Sequence, residues 1–184
     1  MHQNTLQLTQ SALAIIDMQD AFRSRIPNFT EVANRIAVMV QGARLLGLPI
    51  IVTEQYPQGL GHTASEILEV LPESLEIIEK TTFSSCGAQS FLAQLEGSAA
   101  KQILLCGIEA HICVNQTAHD LLANGFQVHV LSDCVTSRKQ SDRRDATRKM
   151  QMSGAIPCSV ELALFELMRD AKHEQFRAIQ KLIK

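Results

Sequence analysis

The apolar positions of this chain change period several times, and each change marks an element. Residues 12–17 (Ala-Leu-Ala-Ile-Ile-Asp) are an apolar run without alternation, the pattern of a strand buried on both faces. From Thr30 the spacing becomes helical. Val32, Ile36, Met39, Val40, Ala43 and Leu46 recur on one face, Thr30 is placed to cap the helix, Gly47 to end it, and Pro49 prevents its resumption. Residues 49–53 (Pro-Ile-Ile-Val-Thr) read as a second strand. Residues 54–65 hold Pro57, Gly59 and Gly61 and read as a loop, long for a compact domain and so a place to look for function. Further strands are predicted over 75–79, 102–107, 126–133 and 156–158. Helices are predicted over 89–96, 111–124, 141–153, 160–170 and 174–183.

This alternation predicts an α/β fold of three layers: a mostly parallel six-stranded sheet, Rossmann-like, with helices on both faces and right-handed crossovers. Residues 1–184 read as a single domain, with 1–10 a polar N-terminal extension and 172–184 the C-terminal helix. In such sheets, sites gather at the carboxyl ends of strands where the strand order reverses.

Composition narrows the picture a little. The 184 residues, 46% hydrophobic, are enough for one self-sufficient core. Seventeen basic against nineteen acidic residues leave a net charge of -2, without the basic excess of a nucleic-acid binder. Arg143, Arg144, Arg148 and Lys149 alternate with Asp142 and Asp145 and read as a solvated helix face. No apolar run approaches the ~18 residues of a membrane span, and the polar start lacks a signal-peptide layout. Five cysteines, an odd number without a Cys-x-x-Cys pair, argue against a disulfide framework or a zinc ribbon and for a reducing, cytoplasmic setting.

Three strand ends carry candidate chemistry. Asp17 closes the first strand, Lys80 follows the third, and Cys113 follows the fourth, near the start of a helix. A helix N-terminus and a nearby ammonium both favour a thiolate, which is the nucleophilic form. Each residue also has a plain reading: a turn residue, a strand-end lysine, a small buried hydrophobe. Cys86, soon after Lys80, is the rival nucleophile, while Cys106 reads as core. His111 and Cys113 are two apart, share no helix face and do not suggest a zinc pair. His119 reads as a helix-face residue and His129 as structural. Gln55, Tyr56 and His62 are placed to line a substrate pocket, with Phe22 and Phe83 as its apolar wall.

The stretch from Asp17 to Phe22 (Asp-Met-Gln-Asp-Ala-Phe) resembles the first signature of the isochorismatase-like cysteine hydrolases. Residues 80–84 (Lys-Thr-Thr-Phe-Ser) resemble the second. Residues 106–114, continued by 117–120, resemble the third, which carries the nucleophile. Residues 132–133, 137–138 and 154–155 also fit, so the likeness runs from about Ala12 to Leu167. Residues 53–61 and 174–184 are most similar to the subgroup of isochorismatase-domain-containing proteins. The resemblance implies a triad of Asp17, Lys80 and Cys113, and a cis peptide at Ile108-Glu109 that aims N–H groups around Ala110 and Cys113 at an oxyanion. Nicotinamidases of the family bind a metal through Asp-x-His after the second strand. Gln55 and Pro57 stand there, so no metal site and no cofactor are expected, and nicotinamide is disfavoured. Ala110 replaces a threonine common in the family, which removes one polar contact.

The implied activity is metal-independent cysteine hydrolysis of a small amide, imide or related carbonyl compound. The other readings are a non-catalytic ligand-binding or interaction module and a thiol redox sensor; the reactivity of Cys113 separates the three. The resemblance also implies a homo-oligomer, and a stripe of Phe176, Ile179, Leu182 and Ile183 is able to pack in cis or across a dimer. A small-molecule substrate is the expected partner, with no nucleic acid and no membrane.

Overall fold

A computed structural model describes residues 2–184. Six strands form one sheet: β1 (Ser11–Ile16), β2 (Ile50–Gln55), β3 (Ile78–Lys80), β4 (Gln102–Gly107), β5 (Gln127–Val135) and β6 (Ile156–Cys158). Their order is β3-β2-β1-β4-β5-β6 and every pairing is parallel. The central strands β1 and β4 are buried at every position, which is why they read as unbroken apolar runs. The order reverses between β1 and β4, and their carboxyl ends open the crevice that this topology reserves for ligands.

Among the described residues, eight α-helices accompany the sheet: α1 (Phe29–Leu46), α2 (Pro57–Leu60), α3 (Ser65–Leu68), α4 (Gln89–Gly97), α5 (Asn115–Ala123), α6 (Gln140–Met152), α7 (Val160–Met168) and α8 (Phe176–Leu182). One core joins α1, α3, α7 and α8 to the face bearing Leu13 and Ile15. The other joins α4, α5 and α6 to the face bearing Ala12, Ala14 and Ile16. The apolar stripe of α1 is buried as its spacing predicts, and Gly47 ends the helix at φ 70, in the left-handed region. Among the described residues, no helix is long and apolar enough to cross a membrane.

The structure corrects several boundaries. Helix α1 begins at Phe29 rather than after Thr30, whose hydroxyl instead accepts a bond from Arg23. The third strand is Ile78–Lys80, because only these residues pair with β2; Leu75 and Ile77 pack partly buried against the α1-side core. The region 54–65 is not all loop. Strand β2 runs on to Gln55, and α2 and the start of α3 lie within it. The polar N-terminal extension is anchored: Leu6 is fully buried, its N–H bonds Glu166 Oε2 at 3.0 Å, and Gln102 holds both the Gln7 N–H and the Thr5 carbonyl. The terminal stripe packs in cis, with Ile179 fully buried and Phe176 edge-on to Phe165 at 6.1 Å.

Arg23 ties the turn after β1 to α3 by pairing with Asp20 and Glu66. The hydrogen bond from Arg23 holds the Glu66 carboxyl down at about 2. A depressed carboxylate contributes stability above its unfolded value and loses it as pH falls through the folded one. Glu66→Gln is therefore expected to cost about 1 kcal/mol or less at pH 7. Urea unfolding should show that gap narrowing as pH drops below about 4.5 toward 2.

Candidate active site at the sheet switch point

The crevice between β1 and β4 gathers residues from four segments. Asp17 follows β1 directly. It adopts φ 51, a left-handed conformation that Asp and Asn tolerate better than most residues, and its side chain is 2% exposed. Lys80 ends β3 and its side chain is 1% exposed. Its Nζ donates to Asp17 Oδ2 at 2.6 Å, Gln55 Oε1 at 2.9 Å, and the carbonyls of Thr82 and Phe83 at 3.0 and 3.2 Å. Three N–H bonds thus face four acceptors, so the ammonium is fully used and fixed in direction.

Cys113 lies in a π-helical turn, Ala110–Val114, that precedes α5. This is not the predicted first turn of a regular helix, and the expected thiolate is not the resting form. Burial, then the charge of Asp17, push the Cys113 thiol up to about 12, against a weaker pull from Lys80. The Ile108-Glu109 peptide, just before the turn, is cis. The Ala110 N–H donates to the Thr136 carbonyl at 2.8 Å, so it is not free to face an oxyanion as the sequence reading expected. Glu109 turns its buried carboxylate to the Arg138 N–H and Nε, both at 3.0 Å.

The expected pocket residues divide. Gln55 spends both ends of its amide on the protein, accepting from Lys80 and donating to the Thr81 carbonyl at 2.7 Å. That makes it a brace for Lys80 rather than a free substrate contact. Neither Gln55 in this state nor Pro57 offers the donor set of an Asp-x-His metal motif. Tyr56 and Phe83 are more than half exposed beside the strand ends, and Phe22 packs half-buried against the α1-side core. His62 is exposed and meets the buried Glu54 carboxylate at 3.1 Å. A cleft of about 380 Å³ beside β3 is lined by Tyr56, Glu79, Lys80 and Thr82 among others, but not by Asp17 or Cys113.

Other candidates resolve into structure. Burial raises the Cys86 thiol to about 11 and Cys158 to about 12, and raises Cys106 and Cys134 as well. His119 sits between the Asn115 carbonyl and Ser153 Oγ; His129 bonds Gln127, and burial lowers its pKa. His111 bonds Ser137 Oγ at 3.1 Å.

Three buried residues went unnoticed in the sequence. Thr53, the last residue of the predicted second strand, donates to Asp17 Oδ1 at 2.7 Å. Ser85 lies 3.3 Å from the Thr53 hydroxyl. Gln19 ties Gln55 to the Gly61 carbonyl and so closes the 56–61 segment onto the strand end. A polar residue ending a buried strand on the carboxyl side was the available signal for Thr53.

A sequence profile of the isochorismatase domain matches residues 11–161 of this chain. The chain belongs to the isochorismatase family. Isochorismatase domain-containing protein 2 from zebrafish is 42% identical over 174 residues, covering 94% of this chain and 86% of that one. The human protein of the same name is 43% identical over 175 residues, covering 95% and 83%. Among solved structures, a Caenorhabditis elegans protein described as MAR1 ribonuclease superposes with a TM-score of 0.93 at 41% identity, covering 97% of this chain and 92% of its own. The isochorismatase fold therefore spans the sheet, the switch point and the Cys113 turn together.

Proposed function

We propose that this isochorismatase-family protein is a metal-independent cysteine hydrolase of a small amide, imide or related carbonyl compound. The observation that carries the reading is a buried carboxylate, Asp17, fixed by Lys80 at 2.6 Å and adjacent to a thiol that rests protonated. A protonated thiol beside a fixed carboxylate is the arrangement of a nucleophile with its general base. As Cys113 Sγ attacks the carbonyl carbon, its proton passes to Asp17 and the electron pair of the C=O bond moves to oxygen. The N–H groups of Ala110, Ile112 and Val114 are bonded to the Thr136 and Glu109 carbonyls, so those of His111 and Cys113 are the ones that would stabilise the oxyanion. Collapse breaks the C–N bond, and Asp17 returns the proton to the departing nitrogen. Asp17 then takes a proton from water, whose oxygen attacks the thioester; the acid leaves and Cys113 regains its proton. Lys80 holds Asp17 in place throughout.

Free thiols suit a reducing, cytoplasmic setting, and this chemistry needs no cofactor. The proposed assembly is a homo-oligomer covering the exposed Tyr56 and Phe83; light scattering that finds a monomer would remove that part of the reading.

Peptide mass spectrometry after iodoacetamide treatment near neutral pH tests the site. Cys113 is expected to label at least tenfold faster than the other four cysteines, and Asp17→Asn to remove that advantage. With a hydrolysed amide in hand, Cys113→Ala should abolish turnover. Full turnover in that variant would sink the mechanism.

A further inference from the structure

We infer that Thr53 is a positioning residue for the general base, aiming and tuning the Asp17 carboxylate through a directed chain of buried hydroxyls. The inference rests on the hydrolase reading above and extends it. Thr53, Ser85 and Thr117 are all fully buried. An ionised carboxylate only accepts hydrogen bonds, so the contact at 2.7 Å commits the Thr53 proton to Asp17 Oδ1. The Thr53 oxygen must then accept, so in the 3.3 Å contact Ser85 is the donor. Ser85 is held in turn, because its N–H donates to Thr117 Oγ1 at 2.9 Å. Thr117 stands on α5, four residues beyond Cys113. The chain of contacts thus runs from the helix behind the nucleophile, through Ser85 and Thr53, to the base.

The geometry divides the carboxylate. Oδ2 faces Lys80 and Oδ1 faces Thr53, so the plane of the Asp17 carboxylate is fixed from two sides. The thiol meets a base with one orientation instead of a rotating one. A hydrogen bond donated to a carboxylate also favours its accepting form. The charged and titratable groups around Asp17 are few. Lys80 comes from β3 and Cys113 from the turn before α5. Glu109 acts on Cys113 from just before that turn. Glu54, beside Thr53 on β2, directs its carboxylate away, to Thr63 and His62.

The test is the pH profile of iodoacetamide alkylation at Cys113, read by peptide mass spectrometry in the full-length chain. In this reaction the Sγ–C bond forms, the C–I bond breaks, iodide leaves with its electron pair, and the thiol proton passes to Asp17. The wild-type rate should fall on the acid side of the profile. Thr53→Val keeps the shape and removes the donor; its acid limb should move up by about one pH unit, with a fall of about tenfold in the plateau rate. Thr53→Ser should restore both, and Ser85→Ala should move the limb in the same direction by less. Thermal unfolding of each variant identifies losses that come from folding alone. If Thr53→Val lowers stability or rate but leaves the acid limb in place, the inference fails while the hydrolase reading stands. If Asp17→Asn retains the wild-type profile, or Cys113 is inert in the wild type, the hydrolase reading fails and the inference with it.

Discussion

Replacing Lys80 with methionine is expected to lower the unfolding free energy by about 3–5 kcal/mol, the usual consequence of removing one partner of a buried ion pair. The ammonium is almost wholly inaccessible and touches four oxygens, the Asp17 carboxylate at 2.6 Å being the nearest. Methionine fills much of the same volume, so the deficit comes from a carboxylate left inside the protein without its counter-charge. Adding Asp17→Asn to Lys80→Met should therefore recover stability, because a neutral amide tolerates the site and the left-handed backbone at φ 51 suits asparagine. Recovery should be partial, since Gln55 Oε1 and the Thr82 and Phe83 carbonyls still lack their donor. Denaturant unfolding of the two singles and the double measures the coupling directly. A loss under about 1 kcal/mol in Lys80→Met would mean that water reaches the pair, contrary to its burial.

Gly107→Ala is expected to be worse tolerated than any other alanine substitution at a glycine of this chain. Gly107 ends β4 at φ 117, where L side chains are rarely found. A Cβ there would lie 2.0 Å from the Ile16 carbonyl oxygen. That oxygen belongs to the backbone of β1 and already accepts the Ile108 N–H at 2.9 Å, so it has no room to retreat. The central strands would have to part at the crevice, at a cost of about 3 kcal/mol or more. Gly42→Ala is the control. There a Cβ meets the side chain of Leu164, at 2.5 Å, whose flexible end can shift within the core where a backbone carbonyl cannot. Relief of helix entropy offsets part of the crowding, so the expected loss is about 1 kcal/mol or less. Comparable unfolding midpoints for the two variants would show that β1 and β4 give way more easily than their contact implies.

Much of the fold was legible because its signals are local. The runs at 12–16 and 103–107 have no polar position to alternate, and burial on both faces is the simplest cause. The α1 stripe and Gly47 are equally direct. Strand β3 was misplaced because it pairs with β2 over three residues only, and its neighbours Leu75 and Ile77 are apolar for a different reason, packing under the sheet. The pairing of Asp17 with Lys80 was expected from the motif resemblance, while the strand order that brings them together was not read from the sequence. The protonation of Cys113 was misjudged because a helix N-terminus and a lysine are visible in sequence while desolvation is not. Thr53 and Ser85 were missed for a related cause. Each is an ordinary small polar residue whose meaning lies in a hydroxyl contact across more than thirty residues.

The strand order also sets a timetable for synthesis. Asp17, Thr53 and Lys80 all precede β4, whereas Cys113 follows it. Chains leave the ribosome amino end first. Asp17 just after β1, Thr53 on β2 and Lys80 on β3 thus lie in a part of the chain that is made before Cys113. Cys113 joins them through β4, which lies along β1 at the join of the sheet's two halves. Until then its thiol has no base beside it. The nucleophile proposed above therefore meets its proposed base only after the first half of the sheet has been made.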